Sequence, residues 1–183
     1  MQISLNLISI WRKKRINFPT KSSDQTTSPE NNTPSLKIRQ YQPKDNKKVH
    51  KINQASLEIS FQYYYDLFHQ REPELFLVAE HENEIIGFIL VKNGINFGES
   101  STALIYAIAV TPQYRSLGVG EQLINAICEI LHKKQIKKLF LHVRVENKRG
   151  ILFYERLGFT KLKTIKEFYS WGEDACRMLK LIE

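Results

Sequence analysis

The stretch IYAIAVTPQYRSLGVG, residues 105–120, decides how this chain folds. It begins inside Ala103–Val110, a run that is nearly all apolar and indicates a strand buried on both faces. Pro112 ends that strand, because proline cannot donate a hydrogen bond to a sheet. Residues 118–134 follow with apolar side chains at helical spacing and predict an amphipathic helix. A buried strand, a turn with two glycines and a helix therefore follow one another directly.

The turn between this strand and helix has the features of a phosphate-binding site. The first N–H groups of a helix lack partners, and the helix dipole adds positive charge there. Gly118 and Gly120 allow the backbone to approach a ligand, and Arg115 adds a forked positive charge. The dinucleotide-binding fingerprint requires a third glycine where this chain has Leu123, and the G-K-[S/T] tripeptide of nucleotide hydrolases is absent from the sequence. The turn predicts a phosphate-bearing ligand outside those two classes of protein.

The elements on either side of this stretch predict a mixed sheet with helices on its faces, which is the α/β class. A helix is expected after Asp45, which would cap it, and another at Lys148–Arg156. Residues 57–70 indicate a second helix or a loop. The first helix would hold Val49, Ile52, Ala55 and Ser56 on its inner face. The further strands are expected at Leu36–Arg39, Leu75–Glu80, Ile85–Val91, Lys138–Val145, Phe159–Phe168 and Asp174–Leu181.

Residues 1–35 differ in composition from the rest of the chain. Residues 17–35 are rich in proline, serine, threonine and asparagine and offer almost nothing to bury. An apolar stretch at 3–11 precedes four basic residues at 12–15, the reverse of the order in a secretory signal, so secretion is not expected. The segment is consistent with a disordered tail, a membrane-surface anchor or an organelle transit peptide. We predict a disordered basic and polar extension at 1–35, one domain at 36–183 and a cytoplasmic protein.

Composition excludes several classes of protein. The 183 residues suit a single domain, and a hydrophobic share of 42% is enough for a packed core. No apolar run approaches the ~20 residues that a membrane-spanning helix needs. Cys128 and Cys176 do not have C-x-x-C spacing, so neither a disulfide scaffold nor a metal site is predicted. A net charge of +8 would attract an anionic cofactor, an acidic peptide or RNA, and charge alone does not choose among them.

Two motifs, in this order, resemble those of the GNAT family of N-acetyltransferases. The stretch 105–120 resembles that family's acetyl-CoA-binding motif. Asn147 with FYERLGF, 153–159, resembles its second motif, N-x-x-A-x-x-x-Y-E-x-L-G-F. LHVR at 141–144 and FYSWGEDA at 168–175 narrow the resemblance to protein N-terminal acetyltransferases, among them the RimI-type enzymes. The resemblance implies the GNAT fold and transfer of an acetyl group from acetyl-CoA to the α-amino group of a protein N-terminus, such as that of a ribosomal protein.

The resemblance also implies a role for each residue that matches a family motif. Backbone amides would bind the pyrophosphate of acetyl-CoA, and the edge of the buried strand would pair with the pantetheine arm. Asn147 would contact that arm near its end, and Tyr154 would protonate the departing thiolate. The amides are those of Arg115, Ser116, Leu117, Gly118, Val119 and Gly120, and the strand edge is that of Ile108, Ala109 and Val110.

Acetyl transfer to an amine needs a base and an acid. The amine must lose a proton, which costs little for an α-amino group with a pKa of about 7.7–8.0 and more for a lysine at about 10.4. His142 can serve as the base near neutral pH, although the RimI-type enzymes carry Glu at the matching position. Tyr154 is a suitable acid for a thiolate. Each also has a structural alternative: His142 as a half-buried side chain bonded to backbone or water, and Tyr154 as a packed aromatic ring.

Other residues near the two motifs have weaker signals. Tyr106 and Tyr169 are candidates for the wall of the acceptor pocket, with core or surface packing as the alternative. Gly150 stands where the family pattern has Ala, which costs a helix up to ~1 kcal/mol. The remaining histidines are isolated and are expected at the surface, namely His50, His69, His81 and His132.

Three functions remain open from the sequence. The leading one is acetylation of a protein N-terminus. The second keeps the reaction and changes the acceptor to a small amine or a lysine side chain. The third is an acetyl-CoA-binding regulatory module without turnover. No direct nucleic-acid site is predicted, and membrane contact is considered only for the N-terminal tail.

Overall fold

The computed structural model describes residues 36–57, 62–94 and 101–183, without the side chains of 62–64. The predictions for residues 1–35 lie outside the described residues. The described strands are β1 (Lys37–Gln40), β2 (Phe76–His81), β3 (Glu84–Asn93), β4 (Thr102–Val110), β5 (Lys138–Arg144), β6 (Thr160–Ile165) and β7 (Ala175–Leu181). The described helices are α1 (Asn46–Ser56), α2 (Gln62–Arg71), α3 (Val119–Lys133) and α4 (Lys148–Arg156). None of these helices is long and apolar enough to cross a membrane.

The strands form one sheet in the order β1-β2-β3-β4-β5-β7-β6. β4 and β5 pair in parallel, and the other neighbouring strands pair antiparallel. A parallel pair needs a crossover, and α3 supplies it. The predicted α/β fold, a mixed sheet flanked by helices, is confirmed.

Helices cover both faces of this sheet. α3 and α4 pack on one face around a core that includes Leu123, Ile127 and Leu141, which we call the α3/α4 face. α1 and α2 pack on the other face around Val49 and Tyr65, which we call the α1/α2 face. Both cores are built from apolar side chains removed from water, the main favourable contribution to folding. The sheet is therefore the middle layer. Side chains on its two opposite faces can reach a common point only where its strands part.

The start of α1 differs from the sequence prediction. Asp45 stands at the N-cap position, but its carboxylate makes no cap bond to the helix. It accepts hydrogen bonds from the Gln42 amide at 2.9 Å and from the Arg39 guanidinium at 2.6 and 3.0 Å. Burial alone would raise the pKa of Asp45, and the Arg39 and Gln42 hydrogen bonds outweigh it and hold the pKa below its ordinary value. The carboxylate thus fixes β1 to the helix entrance.

The inner face of α1 also differs from the prediction. Val49 and Ile52 are buried as expected, but the third fully buried residue is Asn53, while Ala55 is exposed and Ser56 is half-buried. Positions three and four residues apart share a helix face, so Asn53 lies beside Val49 and Ala55 falls on the flank.

β4 contains a β-bulge that changes which side chains face which layer. Leu90 pairs with Ala107 and Val91 pairs with Ile105, which leaves Tyr106 as the extra residue. Tyr106 remains 37% exposed, and its ring centroid lies 5.4 Å from that of Phe68 in α2. The prediction of a strand buried on both faces is therefore wrong at Tyr106, because the bulge turns this ring out towards the α1/α2 face.

The expectation of surface histidines holds for only part of the set. His132 is exposed, whereas His50 and His69 are half-buried. His81, at the end of β2, is 1% exposed, and its ring meets that of Tyr114 edge-on at 5.7 Å. The tertiary contact with the turn after β4 buries it, which an isolated histidine in the sequence does not indicate.

Candidate functional site

A cleft opens in the middle of the sheet, between β4 and β5. Their pairing runs only from Thr102 opposite Lys138 to Ile105 opposite Leu141, although both strands continue. Beyond that point β4 remains paired with β3 on its other edge. The edge of β4 that faces β5 therefore has no strand partner among the described residues. The residues along it include the predicted cofactor-binding Ile108, Ala109 and Val110.

The turn that leads from β4 into α3 lies at the open end of this cleft. Gly118 precedes the helix with φ +84°, a conformation that strains any residue with a Cβ. Ser116 also has a positive φ, of 62°. No described residue accepts a hydrogen bond from the amides of 116–120. The turn therefore presents a row of N–H donors at the positive end of the α3 dipole.

Unlike the amides of 116–120, the amide of Arg115 has a hydrogen-bond partner within the protein, and so does its guanidinium group. Its amide donates to the Pro112 oxygen at 3.2 Å. Its guanidinium donates to the Val110 oxygen at 2.9 Å through Nε and to the Ser56 hydroxyl at 3.1 Å. In this conformation Arg115 fastens the turn to the end of β4 and to the last residue of α1.

His142 lies beside the cleft on the α1/α2 face. Its neighbours Leu141 and Val143 belong to the opposite core, so the alternation of β5 directs the imidazole away from α3 and α4. The half-buried ring stacks on Phe168, with centroids 4.5 Å apart and planes 27° apart. Burial, and then the positive charge of Arg177, lowers the pKa of His142 below its ordinary value. The imidazole is therefore neutral at pH 7 and able to accept a proton.

Tyr154 approaches from the opposite side of the sheet. It belongs to α4 and packs against the α3/α4 core, with its ring between those of Phe153 and Phe159 at 5.2 and 5.6 Å. Burial, and then the neighbouring hydroxyl of Tyr169, raises the pKa of Tyr154. The phenol therefore keeps its proton across the physiological pH range and can act as a donor.

Asn147 is the N-cap of α4. Its side-chain oxygen accepts a hydrogen bond from the Gly150 amide at 2.9 Å, the usual arrangement for an asparagine in this position. A Cβ added to Gly150 would lie only 2.6 Å from the side-chain nitrogen of Asn147. Gly150 is therefore more than a poor helix former, because the observed cap requires a residue without a side chain there.

The loop between β6 and β7 is held in place by two carboxylates. Asp174 accepts the Glu167 amide at 3.0 Å and pairs with Lys166 at 2.6 Å. Glu173 accepts the Trp171 indole N–H at 2.8 Å and pairs with Arg144 of β5 at 3.3 Å. The two acids of the W-G-E-D segment thus order the loop and tie it to the strand that carries His142.

Tyr169 sits within this ordered loop, between Phe168 and Trp171. Its ring stacks on Trp171 at 4.9 Å and meets Phe168 edge-on at 5.1 Å. Its hydroxyl also raises the pKa of Tyr154, as described above. The rings of His142, Phe168 and Tyr169 are therefore in successive contact, and Tyr169 acts electrostatically on Tyr154, which packs in the α3/α4 core. Tyr106 lies on the same face as His142, towards α2.

Sequence reasoning missed two neighbours of His142. Phe168 was predicted to end a strand, but β6 stops at Ile165 because Glu167 has φ +51° and its amide bonds to Asp174. Arg177 is the β7 partner of His142 and lies over the Phe140 ring at 4.4 Å. Only the register between β5 and β7, which the sequence does not reveal, would have identified Arg177.

Within the described ranges, no group of three histidine, cysteine, aspartate or glutamate side chains is placed to hold a metal ion. Cys128 and Cys176 are free thiols.

Known proteins with similar sequences and structures agree on one family. The model of the acetyltransferase (GNAT) family matches residues 46–159. An N-alpha-acetyltransferase of Sulfurisphaera tokodaii is 33% identical over 153 residues, which cover 78% of this chain and 90% of that protein. The crystal structure of Ard1 from Thermoplasma volcanium has a TM-score of 0.75 and 28% identity over 81% of this chain and 98% of that one. The structure of Naa20 from Chaetomium thermophilum, in complex with a bisubstrate analogue, has a TM-score of 0.72 and 26% identity, and it covers 80% of this chain and 86% of that one.

Proposed function

This chain belongs to the acetyltransferase (GNAT) family, and we propose that it transfers an acetyl group from acetyl-CoA to the α-amino group of a protein N-terminus. The observation that carries the proposal is the parting of β4 and β5, with His142 on one face of the sheet and Tyr154 on the other. A base on one face of the sheet and an acid on the other can reach the same substrate only where the strands part. The N-alpha-acetyltransferase relative, matched over 90% of its length, supports the choice of acceptor.

The chain's own backbone fits a ligand with a diphosphate and an amide-bearing arm. In the proposal, the amides of Ser116, Leu117, Gly118, Val119 and Gly120 donate to the diphosphate, and Arg115 holds the turn in shape. The open edge of Ile108, Ala109 and Val110 pairs with the pantetheine amides. Asn147, at the start of α4, contacts the arm near its end through its side-chain nitrogen. Acetyl-CoA supplies an acetyl group activated as a thioester.

Each step of the transfer has a residue of this chain to assist it. His142, directly or through a water, removes the proton from the α-ammonium group so that the nitrogen lone pair can form the new C–N bond. Backbone N–H groups at the open edge of β4 donate to the oxygen that gains negative charge. As the C–S bond breaks, Tyr154 gives its proton to the departing sulfur. Tyr106 and Tyr169 form part of the wall that holds the acceptor peptide.

The pKa values of the two acceptor classes favour an α-amino group over a lysine as the partner of His142. An imidazole with a lowered pKa is a weak base, so it can assist only an ammonium group that is itself acidic enough, such as an α-ammonium group with a pKa of about 7.7–8.0. A lysine ammonium at about 10.4 would oppose the same transfer by more than two further pKa units. A protein N-terminus, with that of a ribosomal protein as one case, therefore suits this site better than a lysine side chain.

The proposal is tested by the position of the acetyl group on the product. Peptides that begin with Ala, Ser or Met, an N-terminally blocked peptide with a lysine, and a panel of polyamines and aminoglycosides are each incubated with acetyl-CoA and analysed by mass spectrometry. We expect acetylation at the free α-amino group alone. Acetylation of the blocked peptide would show that the acceptor is a lysine side chain, and acetylation of the small amines would show that it is a small amine. Binding of acetyl-CoA without any acetylated product would favour a regulatory module.

The boundary of the catalytic domain at residue 36 and a cytoplasmic location are part of the same proposal. Free Cys128 and Cys176 suit a reducing compartment. A protein that lacks residues 1–35 should acetylate peptides at the rate of the full chain. Loss of turnover in the shortened protein would place part of the active unit before residue 36.

A further inference from the structure

Phe168 is a partly exposed aromatic side chain in direct contact with His142. It is 42% exposed, yet one face of its ring is stacked on the His142 imidazole, with centroids 4.5 Å apart. The planes differ by 27°, so this is a face-to-face contact of two flat rings.

The position of Phe168 is determined by the loop that carries it. Asp174 accepts the amide of Glu167, the residue directly before Phe168. The backbone N–H of Tyr169, the residue directly after it, donates to the backbone carbonyl oxygen of Glu173 at 3.1 Å. Glu173 in turn pairs with Arg144, two residues beyond His142 on β5. The backbone on both sides of Phe168 is thus fixed relative to the strand that presents the imidazole.

We infer that Phe168 is a positioning residue for His142, whose ring holds the imidazole in one plane at the wall of the cleft and excludes water from that side. The inference rests on the proposed function, in which His142 is the base. A histidine can rotate about its Cβ–Cγ bond, and a stacked ring restricts that rotation. Proton transfer requires a nitrogen aimed at the amine or at one bridging water, so orientation affects the rate.

Other charged and titratable groups lie near the imidazole of His142, and one of them affects its pKa. Arg177 faces it from β7 and lowers its pKa, second to burial. Arg144 lies on the same face of β5, where Glu173 pairs with it, and Tyr169 adjoins Phe168 in the loop. Removing the Phe168 ring leaves all of these charges in place and admits water to the imidazole. The expected change is therefore a rise in the pKa of His142 towards its ordinary value.

The test is an NMR titration of the histidine rings in the full-length protein. The chain has five histidines, and a His142→Gln variant assigns the resonance of His142. In Phe168→Ala we expect the midpoint of His142 to rise by about 0.5 pH unit, and the acid limb of kcat/KM to move the same way. Phe168→Tyr retains the ring and should match the wild type in both measurements. Phe168→Leu fills similar space without a flat face, so it should keep the midpoint of His142 near the wild-type value but lower the plateau of kcat/KM, because it excludes water without fixing the plane of the imidazole.

A matched control comes from the same loop. Trp171 is also 42% exposed, but it stacks on Tyr169. Trp171→Phe should leave the His142 midpoint unchanged. An unaltered midpoint in Phe168→Ala, in a protein whose thermal unfolding shows that it is folded, would overturn the inference.

The kinetic arm separates this inference from the proposed function. If the His142 midpoint moves while His142→Gln keeps full turnover, the base role proposed for His142 fails, and the catalytic consequence of Phe168 fails with it. If His142→Gln loses turnover but Phe168→Ala changes neither the midpoint nor the acid limb, the proposed function stands and the role of Phe168 does not.

Discussion

The two sides of the cleft are built in different ways. The side where we propose that acetyl-CoA binds, residues 105–120, is here called the cofactor side. It is one continuous stretch that offers backbone groups: the open edge of β4 and the amides of the turn into α3. The side where we propose that the acceptor binds, here called the acceptor side, consists of side chains, His142 from β5 with Phe168 and Tyr169 from the loop after β6. Local backbone geometry therefore governs the first side, and contacts between distant segments govern the second.

This difference determines which changes should damage each side. On the cofactor side, a substitution matters when it alters φ and ψ, because the donors are amides that every residue but proline possesses. On the acceptor side, a substitution matters when it removes a ring or a charge. In the proposed mechanism Tyr154 acts at the point where the two sides meet, since it approaches from α4 and protonates the departing sulfur. Loss of the Tyr154 hydroxyl should therefore have the largest effect.

Tyr154→Phe should lower kcat by about 10²-fold or more, with the KM for acetyl-CoA nearly unchanged, because in the proposed mechanism the hydroxyl acts only on the departing sulfur. Steady-state kinetics with both substrates varied would measure the change. Tyr65→Phe is a matched control: burial raises the pKa of Tyr65 to about 12, but its ring lies in the α1/α2 core. An unchanged kcat in Tyr154→Phe would remove this residue from the acid role.

Gly118→Ala should raise the KM for acetyl-CoA about tenfold and leave the KM for peptide and kcat nearly unchanged. The φ of +84° costs a residue with a Cβ roughly 1–2 kcal/mol, and relief of that strain would move the amides of the turn. Gly94→Ala imposes a similar strain, at φ +70°, just after β3 and outside the site. Equal effects of the two substitutions on the KM for acetyl-CoA would contradict a specific role for the turn.

Glu173→Gln should act on the acceptor side alone. Its carboxylate pairs with Arg144 and accepts the Trp171 indole, and both groups are partly exposed, so the expected rise in the KM for peptide is about threefold. The KM for acetyl-CoA should not change. High salt should produce part of the same rise in the wild type, because it screens an exposed ion pair. A change confined to the KM for acetyl-CoA would show that the two sides are not separate.

Gly150→Ala should have the smallest effect. Helix propensity alone predicts a gain of up to ~1 kcal/mol in the free energy of unfolding. The new Cβ would displace the Asn147 side chain from its cap, which costs about 1 kcal/mol, so the two contributions offset one another. Thermal unfolding of Gly150→Ala with and without Asn147→Ala measures this coupling. A full gain in the single variant would show that the cap does not depend on Gly150.

The cofactor side could be predicted from the sequence because its elements are consecutive. The apolar run, Pro112 and the glycines specify a strand, a turn and a helix without reference to any distant residue. The acceptor side could be predicted only in part. The sequence singled out His142 and Tyr169, but neither the stack with Phe168 nor the pairing with Arg177 is local. Both depend on the β5–β7 register and on where β6 ends.

Two further differences have the same origin. The Tyr106 bulge depends on how β3 aligns with β4, which strand alternation within β4 does not encode. The Asp45 carboxylate has two competing uses, the helix amides or Arg39 with the Gln42 amide, and the contact with β1 decides between them. Local rules describe each element well and fail where a neighbouring element offers a better partner.

The most direct test of the account is a crystal structure of the protein with acetyl-CoA. We predict that the diphosphate oxygens lie about 3 Å from the amides of 116–120, and that the sulfur lies between β4 and β5 beside the Tyr154 hydroxyl. A coenzyme bound away from this cleft, with the same amides closed off by protein groups, would contradict the central claim.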